Sequence, residues 1–213
     1  MYKTVRKVAQ SELIIEKSRF IGHIFPIQTE LEAQGYIESI KKQHWQAAHN
    51  VPVFLLGERY TTQRYSDDGE PSGTAGLPVL EMLKHEHLTD LCLVITRYFG
   101  GVKLGTGGLV RAYTESAKLT LSESGIVEVD HYDQIICRYD YTQQGKIAHL
   151  LTQYPVVGIN HGFTEVVETM LYIAVPHATQ LRNALIDLTS GKIDLTDPNI
   201  VYGCVDAGTF ILY

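Results

Sequence analysis

Three cysteines in 213 residues, Cys92, Cys137 and Cys204, are too scattered and odd in number for a disulfide framework or a Cys-x-x-Cys zinc site. They read as core thiols in a reducing compartment. Long apolar runs are missing as well. Nothing approaches the length that crosses a bilayer, and "MYKTVRKVAQSELIIEKSRF" has neither the apolar centre nor the cleavage site of a signal peptide. A cytoplasmic location without membrane contact is expected. Excess positive charge is absent too: 18 Lys+Arg stand against 24 Asp+Glu, net −6, which excludes a protein that coats nucleic acid indiscriminately. The deficit is uneven. Residues 1–125 hold 14 basic and 14 acidic residues, whereas 126–213 hold 4 and 10. Three common motifs are also missing. No Gly-Lys-Ser/Thr makes a Walker A loop, Val110 stands where a Gly-x-Gly-x-x-Gly fingerprint starting at Gly105 needs glycine, and His85-Glu86-His87 lacks the four-residue spacing of a zinc helix.

What is present is a pattern of short α/β segments. Ser122, Ser124 and Gly125 close a helical run and a polar stretch follows, so the chain divides near residue 130, with domains at 1–130 and 131–213. In the first, "VRKVAQSELIIEKSRFIGHIFPI" reads as two strands broken at Lys17-Ser18. A helix over 29–44 is expected behind a Thr29 cap with Glu32 three residues on. "NVPVFLLG" is a buried strand, "LPVLEMLKHEHL" a helix with Leu77, Leu80, Leu83 and His87 inward, and "LCLVITRYF" a central strand buried on both sides. "GLVRAYTESAKLTLSESG" is a helix that buries Leu109, Tyr113, Ala117 and Leu121. The second domain reads strand, helix, strand, strand, helix, strand. That is a ferredoxin-like order, with a hairpin turn at Asn160-His161-Gly162 and a last strand "IVYGCVDAGTFIL".

Two loops concentrate the chemistry. In "RYSDDGEPSGTAGLP", residues 64–78, Thr74 is expected to cap the following helix while glycines such as Gly73 and Gly76 turn the chain, although free helix-start amides also suit an anion. Asp67, Asp68 and Glu70 form an exposed acidic turn or, alternatively, oxygen ligands for a hard cation. In "TRYFGGVKLGTGGLVRAY", residues 96–113, Gly100, Gly101, Gly105, Gly107 and Gly108 leave backbone open beside Arg97, Lys103 and Arg111, where a phosphate is expected. Tyr98 and Phe99 could stack on bases there, or divide between core and surface. Arg111, Glu115 and Lys118 are spaced to pair along one helix. His49, ahead of a buried strand, reads as a core histidine satisfied by backbone.

"DDGEPSGTAGLPVLEML" followed by "LVITRYFGGVKLGTGGLVRAY", with "SRFIGHIFPI" and "AAHN" earlier in the same order, resembles the signature of the YigZ/Impact family. Val51 departs from it, standing where many relatives carry a cysteine, which removes support for a reactive Cys-His pair at His49. The resemblance implies an α+β protein of two domains: an N-terminal domain like domain 2 of ribosomal protein S5 and domain IV of elongation factor G, and a ferredoxin-like C-terminal domain like domain V of that factor. It also implies an RNA- or ribosome-associated role in regulating translation. Eukaryotic Impact proteins act in the starvation response by competing for the activator of the general-control kinase, so a translation factor or regulatory protein is a further candidate partner.

The expected function is therefore non-catalytic binding of RNA or the ribosome, without a cofactor, through Arg97, Lys103, Arg111 and the five glycines. Asp68, Glu70, Thr74, Gly76 and His49 would support the neighbouring loop, with the acidic pair either orienting it or holding Arg97. The alternatives are a divalent-cation-dependent hydrolase or phosphate-processing enzyme using Asp67, Asp68 and Glu70, and a protein-interaction module whose glycine loops are purely structural. Oligomeric state is left open.

Overall fold

The computed structural model describes residues 1–213 and divides them into two compact units, Tyr2–Glu128 and, Met1 aside, Val129–Tyr213. The first unit runs β1 (Tyr2–Val5), β2 (Ala9–Ile15), β3 (Ser18–Pro26), α1 (Glu30–Gln43), β4 (His49–Leu56), β5 (Thr62–Tyr65), α2 (Gly76–His85), β6 (Leu91–Tyr98) and α3 (Gly105–Ser124). Its main sheet is antiparallel throughout, in the order β2-β3-β6-β4-β5.

Period-two alternation on β6 explains the layering. Leu91, Leu93 and Ile95 face the core shared with α2 and α3, while Cys92 and Val94 face the smaller core under α1. Both faces are covered, so the strand is a continuous apolar run. The β2–β3 turn places Glu16 and Lys17 at positive φ, as a tight hairpin requires. Helix α1 begins as its sequence predicts, with Thr29 and Glu32 closing a reciprocal capping box. Helix α3 buries Leu109, Tyr113, Ala117 and Leu121 and stops at Gly125, whose φ is +73°.

Helix α2 departs from expectation in two ways. Val79, Leu80 and Leu83 make its buried stripe, Leu77 is exposed, and His87 lies beyond its end. Thr74 does not cap it, because the Thr74 hydroxyl donates to the Pro71 carbonyl. Asp67 serves the helix instead: Oδ1 accepts from the amides of Ala75 and Gly76, and Oδ2 from that of Gly73. A carboxylate brought in by the loop thus satisfies the helix-start donors and complements the dipole.

The second unit contains most of β7 (Ile126–Tyr139), followed by α4 (Gln144–Leu151), β8 (Val156–Phe163), β9 (Val167–Ala174), α5 (Val175–Leu188), β10 (Asp194–Leu195), β11 (Asn199–Asp206) and β12 (Thr209–Leu212). The order β11-β7-β9-β8 is the ferredoxin-like arrangement, extended by β12 at one edge. Ile147, Leu151, Leu181 and Leu185 fill the core beneath the sheet, and the buried Asp133 carboxylate holds Arg182 at 2.7 Å and 3.1 Å.

Two turns lie elsewhere than predicted. Strand β8 continues to Phe163, and the chain reverses at 164–166, where the Thr164 amide donates to the Val166 carbonyl. The terminal apolar run is a hairpin that reverses at Ala207-Gly208, because Phe210 packs against Tyr132 and Tyr172 with ring centroids 4.9 Å and 4.5 Å away.

Candidate functional site

The two sequence-predicted loops converge in the first unit, and what joins them is buried. Arg97 is in phase with Leu91, Leu93 and Ile95 on β6, so its side chain enters the α3 core and is only 4% exposed. Its Nη1 donates to Glu70 Oε1 at 2.7 Å, and the Tyr113 hydroxyl donates to the same oxygen at 2.8 Å. Arg97 Nη2 donates to Ser18 Oγ at 3.3 Å, and the Gly100 amide donates to the same hydroxyl at 3.2 Å. Arg97 Nε has no acceptor; the guanidinium lies over the rings of both Phe20 and Phe99, at 5.4 Å and 5.5 Å from their centroids.

The expectation that Arg97 contacts a ligand is therefore corrected. Of the two roles weighed for Glu70, the structure shows the one in which it holds Arg97. A buried guanidinium needs a carboxylate beside it, and the turn delivers one. Tyr113 is held protonated for the same reasons: burial first, then the adjacent Glu70 charge, push its hydroxyl far above the usual phenol range.

Asp68 points elsewhere. Its carboxylate accepts from the Asn50 amide at 2.7 Å and from Lys41 Nζ at 3.0 Å. His49, at the start of β4, donates from Nδ1 to the Asp68 carbonyl at 2.8 Å and holds Nε2 3.7 Å from Glu70 Oε2. It is satisfied by backbone, as expected, but it is half-buried and not the core residue that the sequence suggested. Asp67, Asp68 and Glu70 are each committed to different partners, and no three His, Cys, Asp or Glu side chains converge to hold a metal ion. The cation alternative thus has no ligand set at these positions. Val51 is fully buried in the α3-side core.

The predicted glycines separate into different roles. A Cβ on Gly100 would lie 2.1 Å from the Lys17 carbonyl group, so this glycine serves the chain's own close approach to the β2–β3 turn. Gly76 is required by contact, not by its backbone angles: a Cβ there would lie 2.7 Å from the Ser66 carbonyl oxygen. Gly101, Gly105 and Gly107 are exposed with nothing within 4 Å, and Gly108 is half-buried.

Lys103 and Arg111 are exposed, Arg111 donating back to the Gly107 carbonyl at 3.3 Å, and neither they nor Lys118 pair with Glu115. Helix α3 begins at Gly105 with no side-chain cap and no acidic residue in its first turn, which leaves its leading amides open. Beside this helix start lies an open depression of about 450 Å³, lined among others by Glu16, Val102, Lys103, Gly108, Arg111 and Glu115.

A second polar cluster, on the α1 side of the sheet, escaped the sequence reading. His23 Nε2 and His44 Nε2 are 3.1 Å apart, and His44 Nδ1 is 3.0 Å from the Tyr98 hydroxyl. Burial, followed by His44, lowers His23 to about 4, so His23 is neutral at pH 7; burial, followed by the Arg19 charge, lowers His44 as well. Parity could have found it, since His23 lies on the face of β3 opposite Phe20 and Ile24.

Residues 16–121 match the Impact N-terminal domain, and residues 137–192 match a domain of unknown function, DUF1949. The chain is 43% identical to IMPACT family member YvyE of Bacillus subtilis (strain 168), over 94% of this chain and 93% of that protein. It is 32% identical to IMPACT family member YigZ of Escherichia coli (strain K12), over 85% and 90%. A solved structure described as the crystal structure of a hypothetical protein aligns over 91% of this chain and 95% of that one, with a TM-score of 0.60 at 28% identity.

Proposed function

The chain belongs to the Impact family, and from that premise we propose that it is a non-catalytic RNA- or ribosome-associated protein that regulates translation. The observation that carries this reading is the exposed start of α3. A 20-residue helix presents uncapped amides at Gly105, Thr106 and Gly107, with no acidic residue in its first turn and with Lys103 and Arg111 beside it. Open amides at the positive end of a long helix, bordered by two unpaired cations, suit a phosphate of an RNA backbone. Glu16 and Glu115 also line the depression. Their charge opposes indiscriminate polyanion binding and favours a docked, oriented contact, in keeping with the net charge of −6.

The buried network supports this surface from beneath. Ser18 ties Arg97 to the Gly100 amide, which anchors the root of the loop leading to α3. The test is cosedimentation with purified ribosomes and separated subunits over a salt series, comparing the wild type with Lys103→Ala/Arg111→Ala. Arg97 is left intact because its removal would disturb the fold. Salt-sensitive binding that the double variant loses is the expected result; no binding at any salt would overturn the reading.

A further inference from the structure

One exposed aromatic ring is backed in a way that its neighbours are not. Phe99 follows directly on β6 and is 52% exposed, yet the guanidinium of Arg97 lies over its ring. That guanidinium is fixed by Glu70 and Ser18 and rests in turn over Phe20, which meets Tyr113 edge to face at 5.2 Å. Tyr113, Phe20, Arg97 and Phe99 thus form a column from core to surface. The next residue, Gly100, is tied to Ser18 and pressed against the Lys17 backbone, so the chain that follows the ring is anchored as well. Phe99 is held in place and offers its remaining surface to solvent.

Two other aromatics of the same unit, Tyr98 and Trp45, each lack one property or the other. Tyr98 has its ring under the Arg19 guanidinium and its hydroxyl against His44. Trp45, 75% exposed, has no ring or cation packed against it. Two exposed lysines outside any ion pair flank this segment: Lys17, whose backbone meets Gly100, and Lys103, four positions after Phe99 and just ahead of the open amides of α3.

We propose that Phe99 is a stacking platform for one unpaired base of a single-stranded RNA, whose adjoining phosphate lies toward Lys103 and the start of α3. The inference rests on the RNA-binding reading and names the contact within it. A ring held by a cation over it and still half exposed has surface left for stacking, and such a platform accepts any base. A duplex, whose bases are stacked internally, has none to offer.

The test uses the full chain and a fluorescently labelled oligoadenylate of about ten nucleotides, a typical site size, free or paired with its complement. Affinities are measured by anisotropy across a salt series for the wild type, Phe99→Ala and Lys103→Ala, with circular dichroism confirming that each variant is folded. The wild type should prefer the single strand. Phe99→Ala should weaken that binding about tenfold without changing the salt slope, and Lys103→Ala should lower the slope. In a Trp45→Phe background, Phe99→Trp should lose fluorescence on saturation, reporting the stack directly.

Equal affinity of wild type and Phe99→Ala, equal affinity for the duplex, or an unquenched Phe99→Trp variant would each overturn the platform. If the oligonucleotide is ignored while ribosomes are still bound, the platform falls and the ribosome reading stands. If neither is bound, both fall.

Discussion

Replacing Glu70 with alanine would leave the Arg97 guanidinium buried with only Ser18 as acceptor and would strip the Tyr113 hydroxyl of its only acceptor. Removing one partner of a buried ion pair costs about 3–5 kcal/mol, and orphaning a buried hydroxyl about 1–3 kcal/mol. The two losses share one oxygen, Glu70 Oε1, so they overlap, and roughly 4 kcal/mol is expected. Against a typical domain stability of about 5–15 kcal/mol, that is enough to bring the first unit close to unfolding. Glu70→Gln keeps an acceptor for Tyr113 but removes the charge, and should cost about half as much. Arg97→Met removes the cation and leaves a carboxylate that only Tyr113 and His49 still face. Because the two charges compensate each other, Glu70→Gln combined with Arg97→Met should be less damaging than the two single losses added together, by about 1–2 kcal/mol. Urea unfolding followed by circular dichroism supplies the cycle, and hydrogen exchange of the β6 amides assigns the loss to the first unit. A Glu70→Ala cost below about 1 kcal/mol, or strict additivity, would refute the view that this pair holds the two loops together.

Gly76→Val would force a β-branched side chain against the Ser66 carbonyl, where even a Cβ would be only 2.7 Å away, and should destabilise the first unit by about 2–3 kcal/mol. A thermal melt matching wild type would show that the loop can move aside. His23 makes stability depend on pH: it titrates near 6.5 when unfolded and near 4 when folded, so between those values the unfolded state binds the extra proton. The part of the stability that His23 supplies should therefore be steady above about pH 6.5, fall by roughly 3 kcal/mol as pH drops to about 4, and change no further below. Urea midpoints across that range check it, and His23→Leu should remove most of the slope.

Much of this protein was legible without coordinates, because local signals carried it. The capping box of α1, the inward stripe of α3, the two-sided burial of β6 and the pair of strands β2 and β3, whose turn at Glu16-Lys17 lies one residue ahead of the expected break, all follow from periodicity and turn chemistry acting over a few residues. The anonymous loop at 64–78 was less legible. Thr74 stood where a cap belongs, but the nearby Asp67 carboxylate brought a charge and two oxygens to three amides, and it won that competition. The hairpin at 207–208 was missed because an apolar run does not reveal where it folds back; Phe210 turns in to reach Tyr132 and Tyr172.

The division between sequence and tertiary structure is sharpest at the candidate site. The sequence determined which residue types crowd into 64–111, and the phase of Arg97 with Leu91, Leu93 and Ile95 already held the direction of its side chain. Which charges face solvent was decided by long-range packing. Glu70 neutralises Arg97 across 27 positions and Ser18 reaches it across 79, leaving Lys103, Arg111 and Phe99 outside. A buried charge is tolerable only beside its counter-charge, and partners so far apart in the chain meet only when the sheet and helices assemble.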